Sequence, residues 1–264
     1  MSAELRIVGL QTDLHWRDPD ANLAHFDALL TGIPSSSCDV VVLPEMFTTG
    51  FSWPPLHPTE GPGSEVKWLE SWADRLDAAI AGSIACYDAE GQPRNRFWFI
   101  PPSGEGSPSS YDKRHLFTLA GEHDHFKAGD QRVELEFRGF RILLQVCYDL
   151  RFPVFVRNDR TTAYDLALYV ANWPETRSAA WRTLLQARAI ENQCFVIGIN
   201  RSGTDGNGHH YAGDSLITDF AGTLLADAGG HGQPATLKAT LNREDMMAFR
   251  RKLPFLEDAD ARQC

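Results

Sequence analysis

Apolar runs alternate with amphipathic segments along the whole chain. The run at residues 38–43 is apolar at nearly every position, which is typical of a strand covered on both faces. Between residues 64 and 80 the apolar residues recur at helical spacing, which predicts a helix with Ser64 as its cap. Its apolar face consists of Val66, Leu69, Trp72, Ala73, Leu76, Ala79 and Ile80. This alternation predicts an α/β protein.

The remaining elements follow from the same patterns. Asp18 and Pro19 form a helix start, with a capping side chain and a proline at the first helical position. Strands are predicted at 5–14, 83–87, 96–100, 165–171, 194–200, 211–218 and 235–241, and further helices near 152–157 and at 177–192. We expect irregular structure at 101–110 and 118–130. No repeat, low-complexity run or linker divides the chain, which favours a single domain over residues 1–264 with a tail from about residue 253.

Composition narrows the class of protein. The chain has 264 residues, of which 43% are hydrophobic and 23% charged, as is ordinary for a globular protein. A net charge of −10 argues against a nucleic-acid binder, which needs a basic face. Apolar runs fall short of the roughly 20 residues that span a bilayer, and no secretory signal is visible. Five irregularly spaced cysteines without a CxxC pair favour a reducing cytoplasm over a disulfide framework or zinc knuckle.

Cys147 ends an apolar run at residues 140–146 and is followed at once by polar and turn-forming residues. This places its thiol at the carboxyl end of a strand, where ligand crevices form in open α/β sheets. A thiol there is well placed to attack a substrate if a carboxylate and a cation lie beside it. Cys86 repeats the same tripeptide, Cys-Tyr-Asp, but runs into a turn, so the tripeptide by itself decides nothing.

Glu45 and Lys113 occupy similar settings. Glu45 follows Pro44 at the close of an apolar strand, where it is either a solvated or capping residue or a buried general base. Lys113 belongs either to a basic surface patch or to a buried site that stabilises negative charge on a substrate oxygen.

The segment at residues 121–125 contains two histidines that are candidates for a metal site and one acid that is a candidate for a catalytic carboxylate. His123 and His125 form a His-x-His pair beside acids, which can ligate zinc. However, the segment looks like a loop and no distant ligand pair is obvious, so we expect no metal. Glu122 is a candidate second carboxylate near the thiol.

Three segments together resemble the carbon–nitrogen hydrolase (nitrilase) superfamily, whose pattern is Glu, Lys and Cys in that order. They are residues 43–47 (LPEMF), 111–117 (YDKRHLF) and 146–153 (VCYDLRFP). The resemblance covers nearly the whole chain, including 171–174 (ANWP) and 187–193 (ARAIENQ). Residues 113–117, 171–174 and 205–208 (DGNG) are most similar to bacterial omega-amidases.

The resemblance implies a four-layer α-β-β-α sandwich that forms a homodimer and needs no cofactor. It further implies that Cys147 is the nucleophile and Glu45 the base. Lys113 and the backbone N–H of Tyr148 are expected to hold the oxyanion, and Glu122 to orient the substrate and Lys113.

The substrate implied is a small monoamide of a 2-oxo dicarboxylic acid. Phe117 and Trp173 are expected to wall its pocket, although either aromatic ring could equally belong to the core, and Arg177 is expected to meet its carboxylate. Three alternatives stay open: an amidase for N-carbamoyl amino acids or aliphatic amides, a redox-sensing protein using Cys147, and a metal-dependent hydrolase using His123 and His125.

Overall fold

The computed structural model describes residues 4–56, 63–158 and 162–259. The strands are β1 (Glu4–Gln11), β2 (Val40–Val42), β3 (Ala79–Tyr87), β4 (Pro93–Ile100), β5 (Ser109–Asp112), β6 (Glu134–Phe137), β7 (Phe140–Val146), β8 (Leu166–Ala171), β9 (Phe195–Asn200), β10 (Ser202–Thr204), β11 (His210–Ala212), β12 (Leu216–Thr218), β13 (Leu224–Asp227) and β14 (Ala235–Asn242). The α-helices are α1 (Pro19–Thr31), α2 (Ser64–Leu76), α3 (Pro153–Val156), α4 (Ser178–Asn192) and α5 (Arg243–Lys252). Among the described residues, no helix is long and apolar enough to cross a membrane.

Two six-stranded sheets form the centre of the molecule, in the orders β14-β1-β2-β3-β4-β5 and β13-β12-β9-β8-β7-β6. Strands β1, β2 and β3 are parallel, as are β7, β8 and β9, and antiparallel strands complete both sheets. The carboxyl ends of parallel strands share one sheet edge, so each sheet offers a site for polar residues that follow its strands.

The inner faces of the two sheets pack against each other. Ile7, Val42 and Phe99 of the first sheet share one buried cluster with Ile142 and Leu168 of the second. At Gly9 of the first sheet, an added Cβ would come within 2.3 Å of Cδ1 of Ile199 in the second sheet, so a larger residue would require the Ile199 side chain to move.

Helices cover the outer faces. Phe26 of α1 and Leu69 of α2 lie in the cluster that includes Val41 of the first sheet. On the second sheet, a Cβ on Gly198 would come within 2.3 Å of Leu185 on α4. The four-layer α/β sandwich is therefore confirmed.

The capping prediction was right for α1 and wrong for α2. Asp18 caps α1 by accepting a hydrogen bond from Ala21 N at 3.0 Å. By contrast, Gly63 precedes α2, and Ser64 is the first helical residue. The Ser64 hydroxyl bonds to Glu65 Oε2 at 3.0 Å instead of to the helix backbone.

The predicted extent of α2 was also wrong, because Ala79 and Ile80 belong to β3. The helix ends where Asp77 turns into the left-handed region at φ +52°. Ala79 and Ile80 then pair with Val40 and Val41 of β2. A run of small apolar residues fits either a buried helix or a buried strand, and strand pairing decides between them.

Other strand boundaries also differ. The first strand ends at Gln11 rather than Leu14. The expected strand at 211–218 is interrupted, since Gly213 (φ +82°) and Asp214 (φ +56°) separate β11 from β12. The expected irregular stretches contain structure: β5 starts at Ser109, and two 3₁₀ turns, Thr118–Ala120 and Glu122–Asp124, lie within 118–130. Strands β6, β10 and β13 and helix α5 were not predicted.

The extent of the domain, residues 1–264, and of its tail stays a prediction. A 3₁₀ turn, Phe255–Asp258, follows α5, and Gln193 Nε2 donates to Leu253 O at 2.8 Å. The end of the expected tail, 260–264, lies outside the described residues.

Candidate active site

Polar residues that follow four different strands meet at one edge of the sandwich. Glu45 lies just beyond β2, Lys113 directly follows β5, Cys147 directly follows β7, and Asn172 directly follows β8. Glu45 and Lys113 come from the first sheet, and Cys147 and Asn172 from the second. The packing of the two sheets therefore brings the acid, the amine and the thiol together.

Cys147 sits on a sharp turn. It opens the 3₁₀ helix Cys147–Arg151 immediately after β7, and its φ of +45° lies in the left-handed region that non-glycine residues rarely adopt. Such strain is typical of functional turns that aim one side chain. Its Sγ lies 4.0 Å from Asn172 O, and only 8% of the residue is exposed.

Lys113 joins the two carboxylates that were expected near the thiol. Its Nζ lies 2.9 Å from Glu45 Oε1, and 2.9 and 3.1 Å from the two oxygens of Glu122. All three side chains are fully buried. Burial disfavours the ammonium ion, but Glu122 and Glu45 outweigh that effect and hold the pKa of Lys113 above its usual value.

These charges also determine the resting state of the thiol. Burial, and then the Glu45 carboxylate, raise the pKa of Cys147 well above its ordinary value, while Lys113 opposes the shift. The thiol therefore keeps its proton in the resting state.

Two asparagines complete the contacts of Glu45, and neither was predicted. Asn95 Nδ2 donates to Glu45 Oε1 at 2.8 Å and to Glu122 Oε1 at 3.1 Å. Asn172 donates its backbone N–H to Glu45 Oε2 at 2.7 Å and its side-chain amide to Glu45 O at 2.6 Å. Asn95 lies on the same face of β4 as the buried Phe97 and Phe99, and a polar residue in that alternation is the signal that was available.

A cavity of about 350 Å³ opens above the thiol. Its lining includes the predicted residues Phe117, Cys147, Tyr148, Trp173 and Arg177. It also includes residues that were not predicted: Phe51, Trp53, Arg151, Asn172, Asp205, Asn207, His209 and Tyr211.

The sequence matches the carbon–nitrogen hydrolase family over residues 4–251. The chain belongs to the carbon–nitrogen hydrolase family.

Several relatives in this family are similar over nearly their full length. The omega-amidase YafV of Yersinia enterocolitica is 50% identical over 97% of both chains. The 2-oxoglutaramate amidase of Bacillus subtilis is 31% identical, over 94% of this chain and 95% of that protein. The crystal structure of XC1258 from Xanthomonas campestris, a CN-hydrolase superfamily protein with an arsenic adduct in its active site, superimposes with a TM-score of 0.93. It is 41% identical and covers 99% of both chains.

Within this carbon–nitrogen hydrolase, Glu122 reaches the cluster from a tight loop. Its Oε2 accepts the backbone N–H of Phe117 at 2.6 Å, so the carboxylate closes the loop that carries it. Burial, opposed by Lys113, raises the pKa of Glu122. The same loop places Phe117 in the cavity wall.

The predicted substrate-binding residues contact one another. The guanidinium carbon of Arg177 lies 5.2 Å from the centre of the Phe117 ring. Trp173 Nε1 donates to Arg177 O at 2.8 Å. The guanidinium carbon of Arg151, a second cation of the cavity, lies 4.9 Å from the centre of the Trp173 ring. The cavity therefore combines an apolar wall with two positive charges.

Asp149 ties the lysine segment to the cysteine turn. It accepts hydrogen bonds from Tyr111 OH at 2.8 Å, His115 N at 3.0 Å and Val146 N at 3.0 Å. Its carboxylate is fully buried, so all of these bonds form away from solvent. This network holds the positions of Lys113 and Cys147 relative to each other.

The histidines at 123 and 125 have different surroundings. His125 stacks on Trp53, whereas His123 lies 3.6 Å from Asp124 with about half of its side chain exposed. No group of three or more His, Cys, Asp or Glu side chains that could hold a metal occurs in the described part of the chain. Cys86 lies in β3, where burial raises its pKa to about 12, and it does not line the cavity.

Proposed function

We propose that this protein is an omega-amidase that releases ammonia from a small monoamide of a 2-oxo dicarboxylic acid, such as 2-oxoglutaramate or 2-oxosuccinamate. One observation carries the chemistry: a buried Lys113 joins Glu45 and Glu122 behind the thiol of Cys147, and Cys147 lines a cavity of about 350 Å³. The likeness to an omega-amidase and to a 2-oxoglutaramate amidase supports the choice of substrate class.

In the first half of the proposed reaction, Glu45 accepts the thiol proton as sulfur attacks the amide carbon. Proton transfer accompanies attack because burial and Glu45 keep the pKa of Cys147 high. Lys113 and the N–H of Tyr148 stabilise the oxyanion. The first N–H groups of a helix have no intrahelical acceptor, so the position of Tyr148 in the first turn after Cys147 suits this role.

Glu45 then protonates the departing nitrogen, ammonia leaves, and a thioester to Cys147 remains. In the second half, Glu45 takes a proton from water as that water attacks the thioester. The collapse of the second oxyanion releases the carboxylic acid and returns the proton to sulfur. Glu122 holds Lys113 by two contacts and orients the substrate amide or the water.

The carboxylate of the substrate requires a cation at the far side of the cavity. Arg177 is our first choice, because it lies over the Phe117 ring in the cavity wall. Arg151 is the alternative anchor, since it also lines the cavity. A guanidinium binds a carboxylate through two parallel hydrogen bonds, which fixes the orientation of the amide toward sulfur.

The substrate test is a comparison of ammonia release from 2-oxoglutaramate, glutamine, N-carbamoyl-β-alanine and propionamide by the pure protein. We expect 2-oxoglutaramate to give the highest kcat/KM by at least about tenfold, because glutamine carries an ammonium group in place of the 2-oxo group. Inert 2-oxoglutaramate together with turnover of the carbamoyl compound or of propionamide would assign the protein to another class of amidase.

The redox-sensor alternative predicts a different result. A sensor needs only a reactive thiol, so Glu45→Gln should leave it functional, whereas the amidase should lose ammonia release. The homodimer and the cytoplasmic location also remain predictions. Light scattering and cell fractionation, respectively, test them.

A further inference from the structure

Asn95 binds both carboxylates of the site without touching the cavity. It is 1% exposed, and its Nδ2 donates to Glu45 Oε1 and to Glu122 Oε1. Lys113 Nζ donates to the same two oxygen atoms, at 2.9 and 3.1 Å. The amide and the ammonium group are thus two parallel bridges between one pair of oxygens, and only the ammonium group carries charge.

A hydrogen-bond chain determines which way the amide of Asn95 faces. Met46 N can only donate, and it donates to Ser83 Oγ at 2.9 Å. The hydroxyl proton of Ser83 is then available to Asn95 Oδ1, 2.9 Å away. Ionised carboxylate oxygens can only accept, so Nδ2 faces them and Oδ1 is left to accept from Ser83. The chain starts at the residue next to Glu45, so the backbone that carries the proposed base also orients the amide.

The two oxygens of Glu45 consequently have different surroundings. Oε1 accepts two strong hydrogen bonds, from Lys113 and Asn95. Oε2 accepts one short bond, from the backbone N–H of Asn172 at 2.7 Å, and a contact at 3.5 Å from the Asn172 amide. A contact of 3.5 Å is at the limit of a hydrogen bond, so Oε2 has the more available lone pair.

We propose that Asn95 is a positioning residue of the amidase reaction: by occupying Oε1, it leaves Oε2 as the oxygen of Glu45 that takes and returns the proton. It also gives each buried carboxylate a hydrogen-bond donor without adding a charge. The inference rests on the proposed function, since the proton in question is that of the thiol in amide hydrolysis.

The decisive variant is Asn95→Asp, which is nearly isosteric but replaces the two N–H donors by an acceptor. Donors favour the ionised form of a carboxylate and a neighbouring negative charge disfavours it, so the loss of the donors and the new carboxylate both raise the pH at which Glu45 becomes a base. We expect the acidic limb of the pH profile of kcat/KM to move upward by about one unit or more. At neutral pH, kcat should fall at least about tenfold while KM changes less than about twofold, because Asn95 does not line the cavity.

Asn158→Asp is the matched control. Asn158 is also fully buried, and its Nδ2 also donates to two acceptors, but these are the backbone carbonyls of Tyr164 and Asn192. It should lower the melting temperature without moving the acidic limb. The proposal is overturned if the acidic limb of the pH profile does not move in folded Asn95→Asp. It is also overturned if the acidic limb moves equally in Asn158→Asp.

Two further measurements keep the test decisive. If Asn95→Asp does not fold, Ser83→Ala removes the hydroxyl that orients the amide. A smaller upward movement of the acidic limb in this variant supports the proposal, and an unchanged acidic limb overturns it.

The pH dependence of alkylation of Cys147 by iodoacetamide needs no substrate. A wild-type protein that releases no ammonia from any amide refutes the proposed function, whereas an alkylation profile that is the same in wild type and Asn95→Asp refutes the role of Asn95.

Discussion

Lys113 contacts both oxygens of Glu122, at 2.9 and 3.1 Å, in a site where neither side chain is exposed. A lysine that only balanced the charge of Glu45 would need no second carboxylate. The additional pair holds the ammonium group in place and keeps it protonated, since Glu122 is the largest of the effects that raise the pKa of Lys113 against burial.

Replacing Lys113 by Met should abolish ammonia release and destabilise the fold. The change leaves two buried carboxylates without their cation, and removal of one partner of a buried ion pair costs about 3–5 kcal/mol. Urea denaturation measures the loss in the free energy of unfolding, and an ammonia assay measures activity. Glu105→Ala is the control: it removes a partly exposed partner of Arg138, which keeps its pair with Asp39, and should cost about 1 kcal/mol or less. A Lys113→Met variant as stable as wild type would contradict the charge assignment.

Cys147→Ala should remove activity completely, because no thioester can form, while the melting temperature should change little. Cys86→Ala is the matched control, since Cys86 sits in the same Cys-Tyr-Asp tripeptide but away from the cavity. It should keep wild-type kcat/KM. Mass spectrometry after brief iodoacetamide treatment should find more label on Cys147 than on Cys86, because Cys147 lines the cavity and has Glu45 beside it to take the thiol proton, whereas Cys86 does not line the cavity. Activity in Cys147→Ala, or its loss in Cys86→Ala, argues against our choice of nucleophile.

Stability should fall in alkali partly because of Cys147. Its pKa is raised in the folded state above the ordinary value of 9.0, so the folded protein holds this proton where the unfolded chain releases it. The contribution of the thiol to stability is therefore fully present below about pH 9 and is lost as pH rises further. Between about pH 8 and 10, the melting temperature of wild type should fall by more than that of Cys147→Ala. Equal losses in the two proteins would mean that the thiol is not perturbed by folding.

Arg177→Ala should raise KM for 2-oxoglutaramate about tenfold or more, since a charge-assisted bidentate contact is lost. Turnover of propionamide, which has no carboxylate, should change much less, and that difference separates anchoring from general damage to the cavity. Arg151→Ala tests the other cation in the same assays. If only Arg151→Ala raises KM for 2-oxoglutaramate, then Arg151 is the anchor and our assignment of Arg177 is wrong.

The sequence alone located several features of the protein that depend on local order. Apolar runs that end on a polar residue located Glu45 and Cys147 at strand ends, and Asp18 with Pro19 marked the start of α1. These signals are local because strand burial and helix capping each involve residues that are close along the chain. The resemblance to the carbon–nitrogen hydrolases added the order of Glu, Lys and Cys, and with it the α/β sandwich.

Only the tertiary structure decided which groups surround these residues. Asn95 acts on Glu45 and Glu122 because β3, β4 and β5 pair in one register, and no local pattern encodes that pairing. Asn172 holds Glu45 through its backbone N–H, a group that every residue except proline possesses. Ala79 and Ile80 belong to β3 instead of the predicted helix, because pairing with β2 satisfies their backbone hydrogen-bonding groups. In each case the deciding contact joins residues that are distant in sequence, and their proximity is a property of the packed sheets.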